Sequence, residues 1–267
     1  MKIVVAGAHG NLGALIVASL RASGADVEAV PRAAYASPAE LARVCDGAAC
    51  VVSAVSGLRD VVVDAQTALA TAAAAAGVPR FIPSDYSIDF SKLSPGGNRN
   101  LDWRREFHER LADMKLGVTT IFNGAFAMIL ARLADRDKRA VAYWGDADQL
   151  LDYTSLDNVA AFTAAAAIDP TTPRYLRIAG AEVSARQLAE LTGYKLVRVG
   201  GVAALTGMIE QVRSGRPDGD NVYPAWQGMQ YMRDMSDGRA KLAPLDNARY
   251  PGIAWHGIRE MLAANNG

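Results

Sequence analysis

Short apolar runs alternate with segments of helical apolar spacing over the first 123 residues of the chain. The apolar runs predict strands at residues 2–6, 27–30, 49–55, 80–83 and 118–122, and the segments between them predict helices at residues 12–22, 38–45, 59–76 and 101–115. Because strands and helices alternate, we expect an α/β protein with a Rossmann-like, doubly wound parallel sheet.

The sheet is predicted to be abridged after its second strand. Only seven residues separate Val30 from Pro38. That is too few for a crossover helix and another parallel strand of normal length. We therefore expect the strand that ends near Val30 to lie at or next to the sheet edge, followed at most by a strand stub from Ala33 to Tyr35.

The alternation of apolar runs and helical segments ends near residue 123, and beyond it methionines and tryptophans are concentrated among glycines and prolines. Residues 151–180 return to a strand, helix and strand pattern. We therefore divide the chain into a Rossmann-like domain of residues 1–123, to which 151–180 return, and a smaller lobe of residues 124–150 and 181–267 that we expect to bind a substrate.

Composition and charge narrow the range of partners. The 267 residues are 51% hydrophobic, and 28 basic residues balance 28 acidic ones with no long single-sign run. This balance argues against nucleic acid or an anionic membrane as the main partner and favours a small, partly apolar ligand. No secretory pattern opens the sequence and no stretch of 18 apolar residues occurs, so we expect a cytoplasmic protein. The sequence leaves open whether the protein forms a homodimer.

Two further enzyme classes are disfavoured by the sequence. No His/Cys cluster has the spacing of a metal site, and no Gly-x-Ser-x-Gly motif occurs. We therefore expect neither a metalloenzyme nor a hydrolase of that type.

The glycine turn after the first predicted strand carries the most specific chemistry. Gly7 permits a tight turn, Gly10 lets backbone approach a phosphate, and Gly13 lets the next helix pack closely on the strand. A helix N-terminus that follows a strand in this way binds the pyrophosphate of a dinucleotide. The residues of this turn that we expect to contact a cofactor are Gly7, His9, Gly10, Asn11, Leu12 and Gly13.

The end of the second predicted strand bears on the choice between NADP and NAD. A cation there accepts the 2′-phosphate of NADP, whereas a carboxylate binds the ribose hydroxyl of NAD. Arg32 follows the strand directly, and Glu28 is the competing carboxylate inside it. This placement favours NADP (NADPH) over NAD.

Several segments together resemble one family. The glycine turn, Val51 to Val55, Arg80 to Asp85 and Asn123 to Phe126 look like the isoflavone reductase and phenylcoumaran benzylic ether reductase group of the NmrA-like atypical short-chain dehydrogenases. The resemblance implies a Rossmann-like domain, NADP(H), and hydride transfer to small, often aromatic acceptors. The matched segments add Ser53, Ala54, Val55 and Ser84 as cofactor-binding candidates.

The usual catalytic pair of short-chain dehydrogenases, a tyrosine with a lysine four residues on, is missing. Tyr86 is followed at that spacing by Phe90, and Tyr153 by Asp157. The reductases that this chain resembles carry a lysine on the helix after the Pro-Ser segment, and the family spacing leads here to Arg104. An arginine does not give up its proton near neutrality, so Arg104 is no simple replacement for a lysine acid.

The catalytic candidates are therefore Tyr86, Arg104 and His108. His108 lies one helical turn after Arg104 on the same face, and Tyr86 follows a strand end at the edge where doubly wound sheets bind ligands. A solvated or salt-bridged helix face is an equal interpretation for Arg104 and His108. Weaker candidates for an aromatic substrate wall are Tyr153, Tyr223, Trp226 and Tyr231.

Two functional hypotheses follow from these residues. The first is an NAD(P)H-dependent reductase of a small, aromatic or quinonoid substrate. The second is a non-catalytic NAD(P)-binding redox sensor of the NmrA type, which the altered lysine position motivates.

Overall fold

A five-stranded parallel sheet forms the centre of the computed structural model, which describes residues 1–215 and 221–264. The strand order is β2-β1-β3-β4-β5. Its strands are β1 (Lys2–Ala6), β2 (Asp26–Ala29), β3 (Cys50–Ser53), β4 (Arg80–Ile82) and β5 (Gly117–Val118). The predicted Rossmann-like parallel sheet is therefore confirmed.

Helices cover both faces of this sheet, which explains why its strands are apolar on both sides. The helices of this part are α1 (Asn11–Ala22), α2 (Pro38–Cys45), α3 (Gln66–Ala75), α4 (Arg99–Ala112) and α6 (Leu156–Ile168), and α5 is the short helix Leu130–Leu133. Ile3 and Val5 of β1 pack with α1 and α6, whereas Val4 and Ala6 pack with α2 and α3. A π-helical segment, Asp60–Ala65, leads into α3.

Three smaller strand groups complete the described fold. Their strands are β6 (Thr120–Phe122), β7 (Ala125–Phe126), β8 (Ala134–Asp135), β9 (Ala140–Trp144), β10 (Leu151–Thr154), β11 (Tyr175–Arg177), β12 (Ala181–Val183) and β13 (Lys195–Gly200). β11 pairs in parallel with β6, β10 lies between β7 and β12, and β9 lies between β8 and β13. The remaining helices are α7 (Ala185–Thr192), α8 (Val202–Gly215), α9 (Ala225–Ser236) and α10 (Ile258–Ala264).

The predicted abridged half of the sheet is confirmed. β2 is the edge strand, as the short spacing predicted. The stub at Ala33 to Tyr35 is not a strand, because Arg32–Ala36 forms a 3-10 helix in which Ala34 N donates to Pro31 O at 2.9 Å. Local turn hydrogen bonds therefore satisfy this backbone where a further strand would need a ladder partner.

The division into a cofactor domain and a substrate lobe remains a proposal. Of the predicted lobe, residues 216–220 and 265–267 lie outside the described residues. Among residues 1–215 and 221–264, no helix combines the length and apolar character needed to span a membrane.

Replacing Gly13 by alanine is expected to destabilise the protein strongly. A Cβ at Gly13 would lie 2.0 Å from the backbone oxygen of Gly7, which cannot move aside as a side chain could. We expect the free energy of unfolding, measured by urea denaturation, to fall by about 3 kcal/mol.

The matched control is Gly207→Ala inside α8, where an added Cβ meets nothing within 4 Å. Because alanine is the better helix former, this change should raise the free energy of unfolding by about 0.5–1 kcal/mol. A Gly13→Ala variant as stable as the parent would contradict the close approach.

Candidate functional site

An open cleft of about 840 Å³ runs along the carboxyl ends of the central strands. This is the edge at which open α/β sheets bind their ligands. The sequence-predicted site residues that line it are Gly7, His9, Gly10, Asn11, Leu12, Arg32, Ala54, Val55, Ser84, Tyr86 and Arg104. Gly13, Ser53 and His108 were also predicted, and they do not line it.

The glycine turn brings backbone close to backbone at one end of the cleft. Gly7 has a φ of +74°, and a Cβ there would lie 2.6 Å from Ala54 O. Gly10 N donates to Gly7 O at 2.9 Å, which closes the turn. Gly13 is buried, and the absence of its Cβ lets α1 rest on this turn.

The N-terminus of α1 is open to an anion. Its N-cap residue is Gly10, no side chain caps the helix, and its first turn holds no acidic residue. The first N–H groups of a helix need partners from outside, and the helix dipole favours a negative one. A diphosphate therefore fits the backbone and the charge of this turn.

Two serines that were predicted to contact the cofactor have different positions. Both hydrogen-bond donors of Ser84 are already used within the protein. Ser84 N donates to Gln66 Oε1 at 3.0 Å, and Ser84 Oγ donates to Val55 O at 2.5 Å. Ser84 thus ties the ends of β3 and β4 together at the cleft wall. Ser53 is fully buried and lies behind the lining.

The cleft continues beyond the edge strand β2, where Arg32 and Glu28 were the competing cofactor ligands. Glu28 forms an ion pair with Lys2 at 2.7 Å and does not line the cleft. Arg32 is exposed at the lining, and no ion pair is recorded for it within the described ranges. Tyr35 also lines the cleft, and the sequence analysis did not offer it as a site residue.

Tyr86 lines the cleft, but its hydroxyl does not open into it. The phenol oxygen is buried near Thr163 and Cys50. Burial raises the pKa of Tyr86, and Asp85 next to it adds to this effect. A hydroxyl enclosed in the core cannot reach a ligand in the cleft without rearrangement, so the structure does not place it as a proton donor.

His108 lies behind the cleft in a buried polar chain. Its Nε2 is 2.5 Å from Asp85 Oδ2, and its Nδ1 is 2.6 Å from Arg174 Nη2. Because a guanidinium only donates, Nδ1 accepts and Nε2–H donates to Asp85. Thr120 Oγ1 also donates to Asp85, at 3.0 Å. His108 thus joins α4 to the loop after β4 and to the segment before β11.

Of the three predicted catalytic residues, Arg104 is the one that brings a charged side chain to the cleft. It is 8% exposed and lines the cleft from α4. Its Nη1 donates to Asn100 O at 2.9 Å, and its Nε is buried without a partner among the described residues. Arg104 therefore places a permanent positive charge at the lining of the cleft.

One part of the cleft is apolar and partly exposed. Phe126, Met128, Leu156 and Tyr223 line it, and Met128 and Tyr223 are 48% and 55% exposed. Large apolar side chains left open in a cleft favour a largely apolar ligand. Of the four aromatic residues that the sequence offered as a substrate wall, Tyr223 lines the cleft, whereas Tyr153, Trp226 and Tyr231 do not.

Fold and cleft together define a class of protein, one with a Rossmann-like fold and a partly apolar cleft at the carboxyl ends of its central strands. Within the described part of the chain, no group of three or more His, Cys, Asp or Glu side chains is arranged to hold a metal ion.

Solved structures share this fold over the whole chain. The protein AtPrR2 with NADP+ and (+)-pinoresinol has a TM-score of 0.80 at 19% identity, covering 99% of this chain and 98% of that chain. An isoflavone reductase has a TM-score of 0.79 at 16% identity, covering 98% of each. The leucoanthocyanidin reductase–NADPH complex from Vitis vinifera has a TM-score of 0.74 at 16% identity, covering 100% of each.

These similarities confirm, at the level of the fold, the resemblance that the sequence motifs predicted. No protein-family model matches the chain, and no curated protein sequence matches it significantly.

Replacing His108 by alanine is expected to destabilise the fold. Asp85 is fully buried, and it would lose its shortest hydrogen bond. We expect the free energy of unfolding, from chemical denaturation, to fall by about 2–3 kcal/mol. Glu109→Ala changes the exposed neighbour on the same helix and should alter it by less than about 0.5 kcal/mol. Equal stability of the two variants would show that the hydrogen bonds of His108 do not stabilise the fold.

Proposed function

We propose that this protein is an NADPH-dependent reductase of a small, largely apolar substrate of aromatic or quinonoid type. The observation that carries the proposal is that the uncapped N-terminus of α1 and the buried guanidinium of Arg104 border one cleft. One end offers an anion site and the other a fixed positive charge in an apolar chamber.

The cofactor end supports NADP more than NAD. Arg32 is exposed at the lining beyond β2, whereas Glu28 is held by Lys2 outside it. Two structures of the same fold contain NADP+ or NADPH. We propose that the glycine turn holds the pyrophosphate and that Arg32 binds the 2′-phosphate. Bound NADPH supplies a hydride.

The reacting end supports reduction of a carbonyl or a conjugated carbonyl group. When such a group accepts a hydride at carbon, negative charge develops on its oxygen. A hydrogen-bond donor with a permanent charge, fixed before the reaction, stabilises that charge efficiently in a dry site. Arg104 places its guanidinium at the cleft lining and keeps its own proton, so we assign it to substrate orientation and oxyanion stabilisation.

Replacing Arg32 by glutamine is expected to weaken NADPH selectively. The change removes the charge that we assign to the 2′-phosphate, while NADH lacks that phosphate. A charge-assisted hydrogen bond contributes about 1.5–3 kcal/mol, so the Kd of NADPH should rise about tenfold or more. The Kd of NADH, measured by the same fluorescence titration, should stay within about twofold. Equal weakening of both cofactors would contradict this role of Arg32.

Replacing Arg104 by methionine is expected to remove turnover and spare cofactor binding. With the most reactive acceptor from a panel of quinones, enals and aromatic ketones, kcat should fall about 100-fold or more. The Kd of NADPH should be unchanged, because the glycine turn lies at the other end of the cleft.

Arg110→Met is the matched control for this variant. It removes an arginine from the same helix that pairs with Asp64 and Glu106 away from the cleft. This control should retain the parental kcat. Undiminished turnover in Arg104→Met would exclude the assignment.

A non-catalytic sensor is the second candidate, and one observation favours it. Neither Tyr86 nor His108 presents a proton to the cleft. A sensor would bind NADPH tightly and oxidise none of it with any acceptor of the panel, and this result would replace the reductase proposal.

A further inference from the structure

We infer that Tyr223 is the proton donor of the reaction, a role that rests on the proposed reductase function. Reduction of a carbonyl group by hydride needs one proton on oxygen, and the residues predicted from the sequence do not deliver it. Tyr223 is a phenol that lines the same cleft as Arg104 and is 55% exposed, so its proton can be replaced from water.

Contacts from helix α4 fix the segment that carries Tyr223. Arg99 Nη2 and Asn100 Nδ2 donate to the carbonyl oxygen of Val222 at 2.8 and 3.2 Å. Both donors lie about one turn before Arg104 on the same helix. The backbone next to Tyr223 is therefore held by the element that presents the guanidinium.

A second set of contacts holds Arg99 itself in place. Its guanidinium lies between the rings of Trp103 and Trp226, 4.7 and 4.8 Å from their centroids. Trp226 belongs to α9, which begins two residues after Tyr223. Arg99 therefore contacts both the residue before Tyr223 and the first turn of the helix after it.

The side chains of Tyr223 and Arg104 also interact through charge. The Tyr223 phenol lies close enough to the Arg104 guanidinium to interact with its charge. A phenolate left after proton transfer is stabilised by a neighbouring cation. The pair reproduces, with residues far apart in sequence, what a tyrosine and a lysine four residues apart supply on one helix.

The proposed step balances as follows. A hydride from reduced nicotinamide forms a C–H bond at the substrate carbon, and the C=O π electrons move to oxygen. The Tyr223 Oη–H bond breaks as its proton bonds to that oxygen. The tyrosinate then takes a proton from water, so nicotinamide is oxidised, the carbonyl is reduced to an alcohol, and the enzyme returns to its starting state.

Tyr231 provides the matched control. It is another phenol that interacts with the charge of Arg104, but it is partly buried and does not line the cleft. Burial raises the pKa of Tyr231 to about 12. Tyr223→Phe and Tyr231→Phe each remove one hydroxyl, so any difference between them reports the position of that hydroxyl.

The test combines turnover with a spectroscopic measurement. With 9,10-phenanthrenequinone and the most reactive aromatic ketone of the panel, kcat should fall about 100-fold in Tyr223→Phe and stay near the parental value in Tyr231→Phe. NADPH affinity should be unchanged in both. The C=O stretching frequency of carbonyl-labelled acetophenone, bound with NADP+, should shift down in the parent and in Tyr231→Phe and return toward its free value in Tyr223→Phe.

Each outcome decides between the two proposals. If Tyr223→Phe changes neither the turnover nor the carbonyl frequency, the role of Tyr223 is overturned and the reductase proposal stands. Absence of turnover in the parent with every acceptor would overturn the reductase proposal, and the donor role would fall with it.

Discussion

The close approach of α1 to the first strands is the constraint on which the cofactor end of the molecule depends. Gly13 lies where any Cβ would collide with Gly7 O, and Gly7 lies where a Cβ would collide with Ala54 O. These contacts place an uncapped helix end directly over the ends of β1 and β3. A larger residue at either position would push the helix away from the cleft and take its N–H groups with it.

Helix α4 has the corresponding role at the other end of the cleft. Through His108 it is bonded to the fully buried Asp85 after β4, and through Arg99 N, which donates to Gln230 Oε1, it is bonded to α9. Asn98, its N-cap, is held by Asp234 and Gln227 of α9. Arg104 projects from the helix between these two anchors, so its buried charge is positioned from both sides of the cleft.

The sequence was sufficient for those features that are encoded locally. The glycine spacing, the period of the apolar runs and the short gap after Val30 each depend on neighbouring residues, and each predicted its element. The sequence left a strand stub at Ala33 open, because strand and 3-10 turn are both compatible with a short run of alanines and only the missing ladder partner decides between them.

The reacting end depends on contacts between distant segments, which no local pattern records. Helical spacing placed Arg104 and His108 on one face, but it did not show that Asp85 and Arg174 occupy the space beside His108. The sequence offered Tyr223 only as an aromatic residue in a region where the apolar positions follow no clear helical or strand period. Its place beside Arg104 comes from bonds that Arg99 and Asn100 make to a residue far along the chain.

The uncapped N-terminus of α1 has a consequence for the lifetime of the protein. A ligand that binds only the folded chain raises its stability by mass action, by about 2.7 kcal/mol when its free concentration is a hundred times its Kd. Under the proposed function, the helix end that binds the dinucleotide therefore also links the folded fraction to the supply of that dinucleotide. With the pool depleted, more of the chain would be open to proteolysis, and its abundance would follow the nucleotide level whether or not it turned over a substrate.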